Sequence, residues 1–249
     1  MSLQACADIV AKGDPDRFAA AMAAPVAARA TLFPLYAFNV EVARAPWVGS
    51  EPMIGEMRLQ WWRDALDEIA TGKPVRKHEV TTPLAEVLPR DMAARLDGLV
   101  AARRWDIYTD AFEDAAHFSD YLEKTGGVLM WAAAKSLGAP DSAERSVLDF
   151  GSATALARFL CAVPELEARG RIPLIDGRPE AVAALAQAAL NAAEPKDLPK
   201  PASPALLEGW QTRTLLSQIS KQPQRVAAGE VGQSAFRKKL SLFLKSLRL

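Results

Sequence analysis

A chain of 249 residues has only two cysteines, Cys6 and Cys161, and two histidines, His78 and His117. Cysteines so few and so far apart build neither a disulfide framework nor a metal cluster. Two histidines do not by themselves make a His-rich site. A reducing compartment is the default. Charge excess is also lacking: 30 acidic side chains face 30 basic ones. That balance removes the electrostatic argument for nucleic acid as a general partner. No apolar run reaches the roughly 20 residues that span a bilayer. The opening MSLQACADIVAKGD has no basic start followed by an uninterrupted apolar stretch, so no secretory signal is expected. The chain reads as soluble and cytoplasmic. Clusters of β-branched residues are scarce, which argues against strands.

What is present is helix. Half of the residues are hydrophobic, enough for a sizeable core, and alanine-rich segments recur with helical periodicity. Asp14-Pro15 reads as an N-cap and first helical position, opening a helix over about 16–24. A second helix runs from Pro25 to about Arg44 with Pro34 inside it, and Ala45-Pro46 ends it. Ser50-Glu51-Pro52 opens a third, which stops at Gly72. Thr82-Pro83 restarts helix. Residues 90–114 are expected to be helical with an interruption. Ser119 is expected to cap a helix through Lys135, closed by Gly138, and Asp141-Ser142 to cap a long helix toward Glu167. RGRIPLIDGRPEA is the least helical stretch. Helices are expected at about 179–193 and 203–228, and SAFRKKLSLFLKSLRL forms a basic amphipathic helix. With no repeat and no strong break, the expectation is a single all-α domain over 1–249: a core of about 14–193, a Pro-rich linker at 194–204, then C-terminal helices.

One segment stands out: LYAFNVEVARAPWVGSEPMIGEMRLQWWRDAL, residues 35–66. It sets Trp61 and Trp62 between Arg58 and Arg63, and places Asn39, Glu41 and Arg44 in an otherwise apolar helix. Buried charges without partners are expensive, so such a segment reads as the lining of a site.

LYAFN-x-E-x-AR followed by R-x-QWWRDAL resembles the squalene/phytoene synthase family, in the branch that includes a mitochondrial complex I assembly factor and its bacterial relatives. The resemblance covers about 14–175 and implies the isoprenoid synthase fold, antiparallel helices around a central cavity. It also implies two aspartate-rich motifs that hold magnesium against prenyl diphosphates, chemistry that needs hard cations with oxygen ligands. This chain departs from both motifs. The first aspartate positions become Ala43, Arg44 and Trp47, which places a cation where metal ligands are expected. The second, counted back from Arg169-Gly170-Arg171, become Ala162 and Leu166, with Glu165 and Glu167 off register.

Several residues carry two readings. Arg44, Arg58, Arg63, Arg103 and Arg158 are expected on buried helices. They either hold an anionic ligand in place of metal through the planar guanidinium fork, or pair internally: Arg44 with Glu41, and Arg58 or Arg63 with Asp64, Asp67 or Asp106. Arg29 reads as structural. Tyr36, Phe38, Trp61, Trp62, Trp105 and Trp131 line a pocket or fill a core. Asp106 matches a family aspartate, whereas Asp110 and Asp114 read as an exposed helical edge. Thr125-Gly126-Gly127 gives close helix approach or ligand room. Phe236, Leu240, Phe243, Leu244 and Leu247 share one face of the last helix, with Arg237, Lys238, Lys239, Lys245 and Arg248 elsewhere on it. That helix either touches a membrane surface, which would place the protein at the periphery of the inner membrane, or binds a partner, or docks on the body.

Three functions follow. The first is a non-catalytic family member, transferase-like in fold, that binds an isoprenoid or prenyl diphosphate or assists assembly of a respiratory complex. Its expected ligand-binding residues are Tyr36, Asn39, Glu41, Arg44, Arg58, Trp62, Arg63, Asp106, Thr125, Arg158, Arg169 and Arg171, with no metal. The second is an active Mg-dependent prenyl transferase of isoprenoid biosynthesis, with Glu41, Asp64, Asp106, Glu165 and Glu167 as ligands. The third is a helical scaffold with a filled cavity.

Overall fold

The computed structural model describes residues 3–49, 51–192, 194–195 and 198–247. Among them, helix is the only regular secondary structure. The N-terminal half comprises α1 (Leu3–Gly13), α2 (Pro15–Ala23), α3 (Val26–Arg44), α4 (Pro52–Thr71), α5 (Thr81–Val87) and α6 (Arg90–Ala102). Then come α7 (Ala115–Leu122), α8 (Val128–Ser136), α9 (Glu144–Ala168), α10 (Pro179–Ala189), α11 (Thr212–Lys221), α12 (Gln224–Ala227) and α13 (Ala235–Ser246). Short 3₁₀ turns follow α3 (Ala45–Trp47) and α6 (Arg103–Asp106), and another spans Ser203–Gly209.

Local chemistry explains most boundaries. Asp14 caps α2 by accepting from the Arg17 amide at 2.9 Å, and Pro15 takes the first helical position. Gly72 ends α4 in the left-handed region, at φ 70°, where a side chain would be strained. In α3 every residue from Leu32 to Val40 is buried. A helix apolar on all sides belongs inside the protein, and Pro34 sits within it without interrupting it.

Some expectations needed correction. The helix after residue 114 is capped by Asp114, which accepts from the His117 amide at 2.8 Å, not by Ser119. Asp110 and Asp114 therefore lie on a loop and a cap rather than a helical edge. The helix expected over 203–228 is three pieces. Helix α1 had no counterpart in the sequence reading. Ser50, Arg248 and part of the 194–204 segment lie outside the described residues. The stretch Asp141–Ala168 does have the length and apolarity to cross a membrane, with 56% of its apolar window buried inside the protein. Here it is a central packing helix.

Two apolar clusters form the core. One gathers α1–α6, α8 and the 202–210 segment, and the other gathers Trp105, Phe112, α7, α9, α10 and α11. A π-helical turn, Glu123–Gly127, joins α7 to α8 and lies against α9. A Cβ on Gly127 would come within 2.8 Å of the Leu148 carbonyl oxygen, and one on Gly151 within 2.8 Å of the Gly127 Cα. The glycines of the TGG segment thus serve close helix approach, while Thr125 and Gly126 also face a cavity.

Candidate functional site

A cavity of about 470 Å³ opens beside the second cluster, which contributes Tyr121 and Leu122 to its lining. One wall is α9, with Ala155, Arg158, Phe159, Ala162, Glu165 and Leu166, extended by Arg169. The opposite wall is Arg17 of α2, Ala43 at the end of α3, and Trp47. The 103–106 turn and the α7/π-turn junction complete it with Arg103, Asp106, Tyr121 and Thr125.

Of the five positions expected to face a metal, Ala43, Trp47, Ala162 and Leu166 line this cavity and Arg44 does not. None of the four has a side-chain oxygen to offer. Arg44 does not stand in an aspartate's place, because it is exposed and bonds Glu41 at 3.2 Å, one turn back. Of the carboxylates on the wall, Asp106 has both oxygens engaged, one by Tyr121 at 3.0 Å and one by Arg103 at 3.0 Å. Glu165 accepts from Arg169 at 2.6 Å. Among the described residues no three His, Cys, Asp or Glu side chains converge on one point. Magnesium requires a near-octahedral set of oxygens, and this wall does not fit it.

The cations of the lining are arginines. Arg17, buried to 8% exposure, donates to Glu208, to Asp14 at 2.8 Å, and stacks on the Tyr36 ring at 5.7 Å. Arg158 reaches the same Asp14 oxygen at 2.9 Å and the Glu208 carbonyl at 3.3 Å. One carboxylate therefore caps α2 and ties it to α9. Burial pushes the Asp14 carboxyl up, but Arg158 and Arg17 outweigh it and hold the group at about 2. Burial raises Tyr36 well above the usual phenol range, with Glu208 adding to it. Arg103 is raised: burial opposes its charge, but Tyr121 and Asp106 prevail. Tyr121 is raised chiefly by burial.

These arginines are paired, yet they are not saturated. A guanidinium carries five N–H donors. The buried Nε of Arg103, the Tyr36 hydroxyl and the Glu208 Oε1 have no hydrogen-bond partner in the protein.

Of the twelve expected ligand-binding residues, Asp106, Thr125, Arg158 and Arg169 line the cavity. Two others support it from behind. Tyr36 lies beneath Arg17, and Arg171 donates to the carbonyls of Trp105, Asp106 and Tyr108, fixing the turn that presents Arg103 and Asp106. Asn39 is buried on α3 with its Oδ1 unpartnered, away from the lining.

The remaining five do not meet there. Glu41 pairs with Arg44 on the outside. Arg58 is exposed. Arg63 bonds Asp97 at 2.7 and 3.0 Å, joining α4 to α6 rather than meeting Asp64, Asp67 or Asp106. Trp62 packs edge-on against Phe38 at 5.5 Å and His78 at 5.6 Å, while Trp61 is covered by Arg76 at 5.0 Å. The QWWRDAL motif is thus a packing device. The cavity's aromatics are Trp47, Tyr121 and Phe159, none of them among the six expected. Tyr36, Phe38 and Trp131 are fully buried core.

Arg17, Asp14, Tyr121 and Glu208 escaped sequence reasoning as site residues. For Glu208, an acid in a segment that buries entirely between Pro204 and Gly209, apolar context was the available signal.

The helical architecture and central cavity define an isoprenoid synthase fold. A crystal structure of a dehydrosqualene synthase in complex with a ligand superposes with a TM-score of 0.78 at 16% identity, over 99% of this chain and 95% of that one. Squalene synthase HpnC from Alicyclobacillus acidocaldarius gives 0.61 at 15%, over 95% and 93%. Residues 10–174 match the family described as Squalene/phytoene synthase, and the chain belongs to that family. Among curated proteins it is similar to the Drosophila melanogaster homolog of NADH dehydrogenase (ubiquinone) complex I, assembly factor 6, 30% identical over 68% of this chain and 53% of that one. It is also similar to the Bos taurus assembly factor 6, 26% identical over 67% and 51%. The chain thus spans about half the length of the curated relatives it matches.

Proposed function

We propose that this protein is a non-catalytic member of its family that holds an isoprenoid with a polar or diphosphate head in the central cavity, and that it serves assembly of a respiratory complex. The observation that carries the reading is the lining. Ala43, Trp47, Ala162 and Leu166, four of the five positions where the family resemblance expects metal ligands, bring no carboxylate to it, and Arg17, Arg103, Arg158 and Arg169 supply its cations. Guanidinium N–H groups hold phosphate directly through a planar fork. They bind the charge of a diphosphate but do not supply the divalent cations that help it leave as a leaving group. The similarity to assembly factor 6 supports the assembly role. A cavity of this volume, within the usual range of ligand sites, favours a binding protein over a filled scaffold.

The test is equilibrium binding of farnesyl diphosphate to the pure protein, with magnesium and with chelator, alongside product analysis. Binding unaffected by chelation, with no condensation product, is expected. Ala162→Phe, which fills the cavity from α9, should abolish binding while leaving the circular dichroism spectrum intact. Head-to-head condensation of the prenyl chains would refute the proposal in favour of an active transferase.

A further inference from the structure

Helix α13 sits on the protein the wrong way round for a soluble docking helix. Its polar side faces the body. Lys238 bonds Asp16 at 3.1 Å, Lys245 bonds Glu194, and Leu242 is its one buried apolar residue. Its apolar side faces outward: Phe236, Leu240, Phe243, Leu244 and Leu247 are between 43% and 72% exposed. At about 100° per residue, these five share one stripe, and the exposed Arg237 and Lys239 fall on its two borders. Neither border cation has an acidic partner among the described residues.

We propose that this face lies in the surface of an anionic lipid bilayer. A stripe of large apolar side chains bordered by cations is what an interfacial helix presents to the boundary between headgroups and acyl chains. The stems of Arg237 and Lys239 lie along the apolar surface and place their charges among the headgroups. Charge complementarity selects the occupant. From Val231 to Leu247 there are four cations and no acid, whereas the rest of the chain holds 26 basic against 30 acidic side chains. The positive charge is thus gathered where the apolar stripe is. The Asp16 and Glu194 ion pairs hold the helix flat with its stripe outward, so contact needs no rearrangement of the fold.

Co-sedimentation of the full chain with vesicles tests this, using phosphatidylcholine alone and phosphatidylcholine mixed with phosphatidylglycerol. Binding is expected to the mixed vesicles, weakened by added salt. Each border cation removed (Arg237→Gln, Lys239→Gln) should cost about fivefold in affinity. The pair Phe236→Ser and Phe243→Ser should cost at least about tenfold. These side chains are exposed, so unchanged thermal unfolding of the variants checks that the fold is intact. Equal binding to both vesicle types would overturn the proposal, as would absence of binding to either, or retention of binding by the Phe variants. Concentration-dependent dimerisation abolished by the same Phe variants would also overturn it, assigning the face to a second copy of the chain.

Discussion

Asp14 shows how one carboxylate can organise a cavity. It caps α2, pairs with Arg17 and Arg158, and so fixes two cationic walls relative to each other. Its folded value of about 2 lies below the ordinary 3.8, so the ionised form is favoured by folding. That contribution is fully present above about pH 4 and is lost as pH falls through about 2, and it amounts to about 2 kcal/mol. Asparagine keeps the capping oxygen but not the charge. Asp14→Asn should therefore lower the unfolding free energy at neutral pH by about that amount. It should also flatten the acid limb of stability between about pH 4 and pH 2. Parallel acid limbs in urea titrations of the two proteins would show that the pairing is energetically idle.

Between elements, α9 and the π-turn approach closely. Replacing a mid-helix glycine by alanine normally stabilises by up to about 1 kcal/mol. At Gly98 of α6, where nothing lies within 4 Å of an added Cβ, that gain should appear. At Gly151 the new methyl would lie 2.8 Å from the Gly127 Cα and 3.0 Å from the Gly126 carbonyl oxygen, and overpacking of this kind costs about 1–3 kcal/mol. Gly98→Ala should raise the denaturation midpoint and Gly151→Ala should lower it, and a common sign for the two would contradict the packing described. Helix boundaries were legible in the sequence because their signals are local: Asp14-Pro15, Ala45-Pro46, Gly72. The facing of Ala43 and Ala162 toward one cavity was legible only through the family pattern. The outward stripe of α13 was not, because periodicity defines a face without saying which side docks. Nor was the Asp14 network, whose partners lie 144 and 191 residues apart in sequence.

For the whole molecule, a central cavity that binds a ligand only in the folded state couples occupancy to stability. At the proposed isoprenoid site, farnesyl diphosphate at roughly one hundred times its dissociation constant should add about 2.7 kcal/mol to folding. For a chain of this length that corresponds to about 5–10 °C in the midpoint of thermal unfolding. Scanning calorimetry should show the shift in the parent protein and not in Ala162→Phe.

The Arg17–Glu208 bond spans 191 residues. On a ribosome adding about 5–20 residues each second, Arg17 is made roughly 10–40 seconds before its partner. Until then the guanidinium has only Asp14 to meet, and burying it without its second carboxylate would be costly. The cavity wall therefore stays wet and unassembled until Glu208 emerges. Closure of the cavity wall is gated by emergence of the Glu208 segment.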